Sequence, residues 1–121
     1  MAPICTTLTR MIDYAGTIEF ADWGKLPANP LVSIYMLAYQ HEKCIAEAIA
    51  GVLAQECDFA IELIIGEDHS PDKTGEIVLA HQRQHPQLIR VLTADRNVGG
   101  LANVRRCLLA TRGEYADQLR V

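Results

Sequence analysis

The chain has 121 residues, half of them hydrophobic and 21% charged, which fits one globular domain and leaves no room for two. Its 11 basic and 15 acidic side chains give a net charge of -4, which argues against a broad nucleic-acid surface and points to small ligands. No apolar run reaches the roughly 18 residues of a membrane-spanning helix, and the amino terminus shows no basic region followed by an apolar core, so a cytoplasmic protein without a membrane segment is expected. Cys5, Cys44, Cys57 and Cys107 form no Cys-x-x-Cys pair and none stands at metal-ligand spacing from a histidine. They read as buried free thiols in a reducing compartment.

In chain order, residues 1–29 hold a short amphipathic piece near 8–14, then Gly16, Gly24 and Pro27 as breakers, with Pro30 at the boundary that follows. This segment reads as an amino-terminal arm or packing extension, with Trp23 as its anchor to the main body. Residues 30–121 carry a repeating period. Residues 31–38 are a mostly apolar run bounded by a proline and a polar Gln-His-Glu-Lys turn, a first strand. Ile45, Ala48, Ile49, Val52 and Leu53 recur at helical spacing, and residues 61–65 are a second strand. A second helix opening near Asp72 carries Ile77, Val78 and Ala80, with Ser70 or Asp72 as its cap, and residues 88–92 form a third strand. The third helix is expected after Asn97-Val98-Gly99-Gly100, with Leu101, Val104, Leu108 and Leu109 on its buried face and Gly113 as its C-cap. Alternating strands and helices with near-continuous apolar strands predict an α/β fold, a mostly parallel sheet of three to four strands with helices on both faces.

In such a fold ligands meet the carboxyl edge of the sheet, so two loops matter. After the first strand, Ala38-Tyr39-Gln40-His41-Glu42 brings an aromatic ring and polar groups to a helix start, where open backbone N–H groups favour an anion or the polar edge of a nucleotide. Tyr39 either packs against a base or covers the sheet edge. After the second strand, Glu67-Asp68-His69-Ser70-Pro71-Asp72 places adjacent carboxylates at a turn; Asp68 can accept from the imide N–H of a pyrimidine, while Asp72 fits the capping role better. The turn after the first strand contains no glycine, which sets aside Gly-x-Gly-x-x-Gly dinucleotide sites and P-loops.

Pro30-Leu-Val-Ser-Ile-Tyr-Met-Leu-Ala-Tyr39, Ala48-Ile-Ala-Gly-Val-Leu-Ala-Gln55, Glu67-Asp-His-Ser-Pro-Asp-Lys-Thr74, Asn97-Val-Gly-Gly100, Asn103 and Gly113-Glu-Tyr115, in this order and spacing, resemble the amino-terminal half of family 2 glycosyltransferases. The resemblance covers residues 30 to about 115. It implies a Rossmann-like GT-A half and a nucleotide-diphosphate sugar donor, commonly a UDP-sugar. By the same resemblance Ala38 and Tyr39 line the base pocket, Asp68 pairs with the base, and Glu67 replaces the more usual aspartate of the acidic pair. Asn97, Gly99, Gly100 and Asn103 shape the floor of the donor site. Arg105 or Arg106 either reaches a diphosphate or belongs to a solvated helix face.

The family pattern continues after Gly-Glu-Tyr with a fourth strand ending in Asp-x-Asp, whose carboxylates hold magnesium or manganese, and an acceptor half with the general base. Here Asp117 comes too early for that motif and lacks a second carboxylate beside it. The expectation is therefore a truncated donor-binding domain over residues 30–121, without a metal of its own and inactive alone. The alternative is a non-catalytic assembly module with a vestigial pocket. Either way, an uncovered sheet edge or apolar surface predicts a homo-oligomer.

Overall fold

The computed structural model describes residues 8–12 and 14–121, with side chains from Tyr14 onward. The described residues form six strands and three helices: β1 (Leu8–Ile12), β2 (Thr17–Ala21), β3 (Val32–Ala38), α1 (Ile45–Leu53), β4 (Ile61–Glu67), α2 (Thr74–Gln84), β5 (Ile89–Thr93), α3 (Gly100–Ala110) and β6 (Tyr115–Gln118). The six strands join one sheet in the order β1-β2-β5-β4-β3-β6. β5, β4, β3 and β6 run parallel, whereas β1 and β2 are antiparallel additions on the β5 side. The expected parallel α/β sheet is present with four parallel strands. The amino-terminal extension supplies two further strands, with Phe20 opposite Val91 in the sheet. Of the amphipathic piece near 8–14, the side chains before Tyr14 lie outside the described residues, as does Cys5.

Successive side chains of a strand point to opposite faces, and the two faces differ in chemistry. Met36, Ala38, Leu63, Ile65, Ile89 and Val91 meet Ile45, Ile49 and Val52 of α1 and Val78 of α2 in the larger core. On the opposite face Tyr35, Ile64 and Leu92 pack against Cys107 of α3. Flanking that smaller patch, the face turns polar. Ser33, Glu62, Arg90 and Glu19 are all buried there.

These polar side chains form one network. Glu62 accepts from Arg90 Nη1 at 3.0 Å, from Arg112 Nη2 at 2.9 Å and from Ser33 Oγ at 2.6 Å. Arg90 Nη2 donates to Glu19 at 2.7 Å and its Nη1 donates to the Ala110 carbonyl, also at 2.7 Å. Trp23 donates its indole N–H to Glu19 and its ring faces both guanidinium groups, Arg90 at 4.7 Å and Arg112 at 4.8 Å from the centroid. Trp23 thus anchors the extension, as its sequence position suggested.

α3 is rotated relative to the sequence expectation. Leu101, Leu108 and Leu109 are exposed, at 69%, 45% and 70%, and Val104 is only half-buried, while Asn103, Arg106 and Cys107 are buried. The reason lies beneath the helix. β4 presents two main-chain carbonyls there, and a buried carbonyl needs a donor, which leucines do not have. Asn103 Nδ2 donates to the Gly66 carbonyl at 2.9 Å and Arg106 Nη2 to the Glu67 carbonyl at 3.0 Å.

Two smaller expectations also change. The residue ending α3 is Thr111, in extended conformation, and Gly113 does not cap the helix. Gly113 instead lets the chain run against β3, since a Cβ there would lie 2.7 Å from the Ser33 nitrogen and 2.8 Å from the Leu31 oxygen. Of the thiols, Cys107 is buried and its pKa is pushed up to about 12 by burial, but Cys44 and Cys57 are exposed because they sit in the turns flanking α1.

Burial alone would raise the pKa of Glu62, but the hydrogen bond from Ser33, the charge of Arg90 and the hydrogen bonds from Arg112 outweigh it and hold the group below its ordinary 4.5. A carboxylate with a lowered folded-state pKa contributes stability that is complete above its unfolded value and lost as pH falls through the folded one. Glu62→Gln is therefore expected to be destabilised at neutral pH, with the deficit against wild type shrinking as pH drops below 4.5. Urea melts across that range check this; a deficit independent of pH would contradict it.

Candidate functional site

The loops leaving β4 and β5 diverge, one to α2 on the larger core face and the other to α3 on the opposite face. A crevice opens where such connections part at the carboxyl edge of the strands. It is a cleft of about 320 Å³ lined by Leu37, Ala38, Tyr39, His41, Asp68, Asn97, Gly99, Gly100 and Asn103. Seven of the eight residues singled out in the sequence meet on it: Ala38, Tyr39, Asp68, Asn97, Gly99, Gly100 and Asn103. Glu67 does not line it. Its Oε1 accepts from the Ser70 N–H at 2.9 Å and its Oε2 from the His69 N–H at 3.0 Å, so it shapes the turn from behind.

Asp68 organises the opposite wall. Its Oδ1 accepts from the Val98 N–H at 2.8 Å and its Oδ2 from the Gly99 N–H at 3.1 Å, while Asn97 Nδ2 donates to its carbonyl at 2.9 Å. The glycine has a structural reason, because residue 99 sits at φ +90°, a left-handed conformation that a Cβ disfavours. An ionised carboxylate offers about four acceptor positions. With one bond from the protein at each oxygen, Asp68 keeps acceptor capacity toward the cleft.

The first wall is tied to the turn after β4. Gln40 N–H donates to Ser70 Oγ at 3.0 Å and His41 N–H to Thr74 Oγ1 at 2.9 Å. Asp72 accepts from both the Thr74 hydroxyl, at 2.6 Å, and its N–H, at 3.0 Å, and the hydroxyl bond is the largest influence holding its pKa down. Asp72 thus fixes the start of α2, one residue ahead of the helix cap Lys73. Tyr39 N–H donates to His41 Nδ1 at 3.1 Å. That bond assigns the neutral ring's proton to Nε2, giving the cleft a donor. Tyr39, which lines the cleft, is 41% exposed.

Of the two arginines, Arg105 is exposed and lines no part of the cleft, in keeping with a solvated helix face. Arg106 departs from that description. It is 2% exposed and its Nε donates to Asn103 Oδ1 at 2.8 Å. Burial pulls its pKa down, opposed by the charges of Cys107, Asp68 and Glu67. Leu37 and the buried placement of Arg106 escaped the sequence reading, and His41 was read only as one of the polar groups of the turn after the first strand. The Asn103, Arg106, Cys107 spacing of three and four residues was the available signal for a polar buried face.

Geometry of this kind defines a doubly wound α/β domain with a cleft at the carboxyl edge of its sheet. Residues 33–116 match the family described as Glycosyl transferase family 2, and the chain belongs to that family. Its fold is the Rossmann-like half of the GT-A fold. The chain is similar to an uncharacterized protein of Mycobacterium bovis, 39% identical over 84 residues that cover 69% of this chain and 24% of that protein. It is 35% identical to the chondroitin synthase of Escherichia coli over 103 residues, covering 84% of this chain and 14% of the synthase. A processive diacylglycerol beta-glycosyltransferase of Mycoplasma pneumoniae is 35% identical over 72 residues, covering 59% of this chain and 21% of that enzyme. The chain thus spans about a quarter or less of the length of these relatives. Among the described residues no helix is long and apolar enough to cross a membrane.

Close approach to β4 of α3, whose Asn103 lines the cleft, depends on Gly66. A Cβ at that position would lie 2.5 Å from Asn103 Oδ1 and 2.6 Å from Cys107 Sγ. Gly66→Ala is expected to cost about 1–3 kcal/mol by overpacking, read as a lower midpoint in urea. An unchanged midpoint would show that α3 is free to lift.

Proposed function

We propose that this chain holds the nucleotide of a sugar donor, with UDP-sugars as the preferred class, for transfer of the sugar to an acceptor. One observation carries the reading: Ala38, Tyr39, Asp68, Asn97, Gly99, Gly100 and Asn103, separated by up to 65 positions in sequence, wall one cleft in a chain of a glycosyl transfer family. The chemistry suits a uracil base. Asp68 supplies a carboxylate acceptor for the imide N–H, His41 Nε2 a donor for a carbonyl, and the ring of Tyr39 a face for stacking.

Transfer itself asks for more than this cleft holds. Asp68 is its only carboxylate, both oxygens are bonded to main-chain amides, and Asp117 lies on a separate groove beside β6. Among the described residues no three His, Cys, Asp or Glu side chains gather into a metal-binding group. These residues do not fit a magnesium or manganese site. We infer that the chain contributes donor recognition, while the groups that activate the leaving diphosphate and the acceptor come from outside these residues.

A second reading, an assembly module pairing through its sheet edge, is supported by β6, whose four residues are all exposed at the border of the sheet. Calorimetric titration of UDP separates the two. The donor reading expects saturable heat that weakens by about 1–3 kcal/mol in Tyr39→Ala, the usual worth of one base–aromatic stack. Absence of heat, together with a concentration-dependent dimer in sedimentation, would replace it with the assembly reading.

A further inference from the structure

The turn that carries Tyr39 into the cleft is held by side chains on three successive amides. Tyr39 N–H donates to His41 Nδ1 at 3.1 Å, Gln40 N–H to Ser70 Oγ at 3.0 Å and His41 N–H to Thr74 Oγ1 at 2.9 Å. Gln40, in the middle, has φ +55°, a left-handed conformation that a side chain disfavours, so the turn depends on these bonds for its shape.

One of the three acceptors differs from the others. A hydroxyl accepts at any pH near neutrality, whereas an imidazole nitrogen accepts only while it carries no proton. Protonation of His41 puts a proton from solvent on Nδ1, turns that acceptor into a second donor and sets it against the Tyr39 N–H, which must then turn to water. Nε2 carries its proton in both forms, so what the ring offers a ligand stays the same. What changes is the hold on Tyr39.

Resting on the donor reading, we propose that His41 is a positioning residue that makes the cleft sensitive to pH: neutral His41 fixes the Tyr39 wall for a ligand, and protonated His41 releases it. The charged and titratable groups around it are Asp68 on the same cleft, Asp72 behind the Thr74 hydroxyl, His69 beside Ser70, Glu42 bonded to the Lys73 N–H, and Lys43 and Cys44 next in the chain. Among these side-chain types imidazole is the one that ordinarily changes charge between about pH 5 and 7.5. The neutral form binds, so affinity is complete above that window and falls as pH drops through it.

Calorimetry with uridine tests the proposal, because uridine carries no phosphate and no group that titrates in this window. Wild type is expected to bind about two- to tenfold more weakly at pH 5 than at pH 7.5, the worth of one hydrogen bond. His41→Asn puts an oxygen that accepts at every pH in the place of Nδ1. It loses the Nε2 donor and should bind more weakly throughout, but equally at both pH values. His69→Asn, which suits the left-handed φ of +56° at that position, should keep the wild-type fall; its disappearance there would move the effect to His69 and overturn the proposal. Uridine binding of equal strength at both pH values in wild type, or a fall that persists in His41→Asn, overturns it as well. If His41→Asn fails to fold, the Tyr39 amide resonance of the free wild type decides. It should move as the His41 ring protonates, and an amide that stays still overturns the proposal. No uridine binding at either pH defeats the donor reading instead.

Discussion

Glu62 and Arg90 hold the molecule together from the inside. Neither is exposed by more than 2%, and their 3.0 Å pair is the centre from which Glu19, Ser33, Trp23, Arg112 and the Ala110 carbonyl are bonded or stacked. Taking such charges out of water is repaid only when every group is matched, and removing one partner of a buried pair typically costs about 3–5 kcal/mol. The network joins β2, β3, β4, β5 and the segment after α3. It explains why the amino-terminal extension lies in the sheet and why the chain beyond α3 turns back onto β3.

α3 transmits that constraint to the site. Its carboxyl end is fixed by Arg90 at Ala110 and by Arg112 at Glu62, and its amino end forms the cleft wall about 16 Å away at 1.5 Å per residue. Between the two ends, Gly66 admits the helix to the strand, and Asn103 and Arg106 answer the carbonyls it covers. The polar underside of α3 thus serves at once for packing and as cleft wall, with leucines left on its outer face.

β3, β4 and β5 were legible because strands buried on both faces leave continuous apolar runs. Ala38, Tyr39 and Asp68 were legible because they stand in turns at the carboxyl ends of strands, whereas Asn97, Gly99, Gly100 and Asn103 were singled out through the family resemblance. The face of α3 was not, since Leu101, Leu108 and Leu109 have helical spacing and nothing local tells which side the sheet will claim. β2 was hidden for a related reason: its inward residues include Glu19, and the arginine that makes that burial tolerable lies 71 positions away. β6, with no buried residue, has no pattern to read.

Backbone amide NMR with uridine added stepwise tests most directly that the cleft beneath Tyr39 and Asp68 is the ligand site. Shifts are expected to concentrate at Tyr39, Val98 and Gly99, whose N–H groups bond His41 and the two oxygens of Asp68. Shifts confined instead to the groove of Val52, Phe59 and Leu119 beside β6 would contradict it.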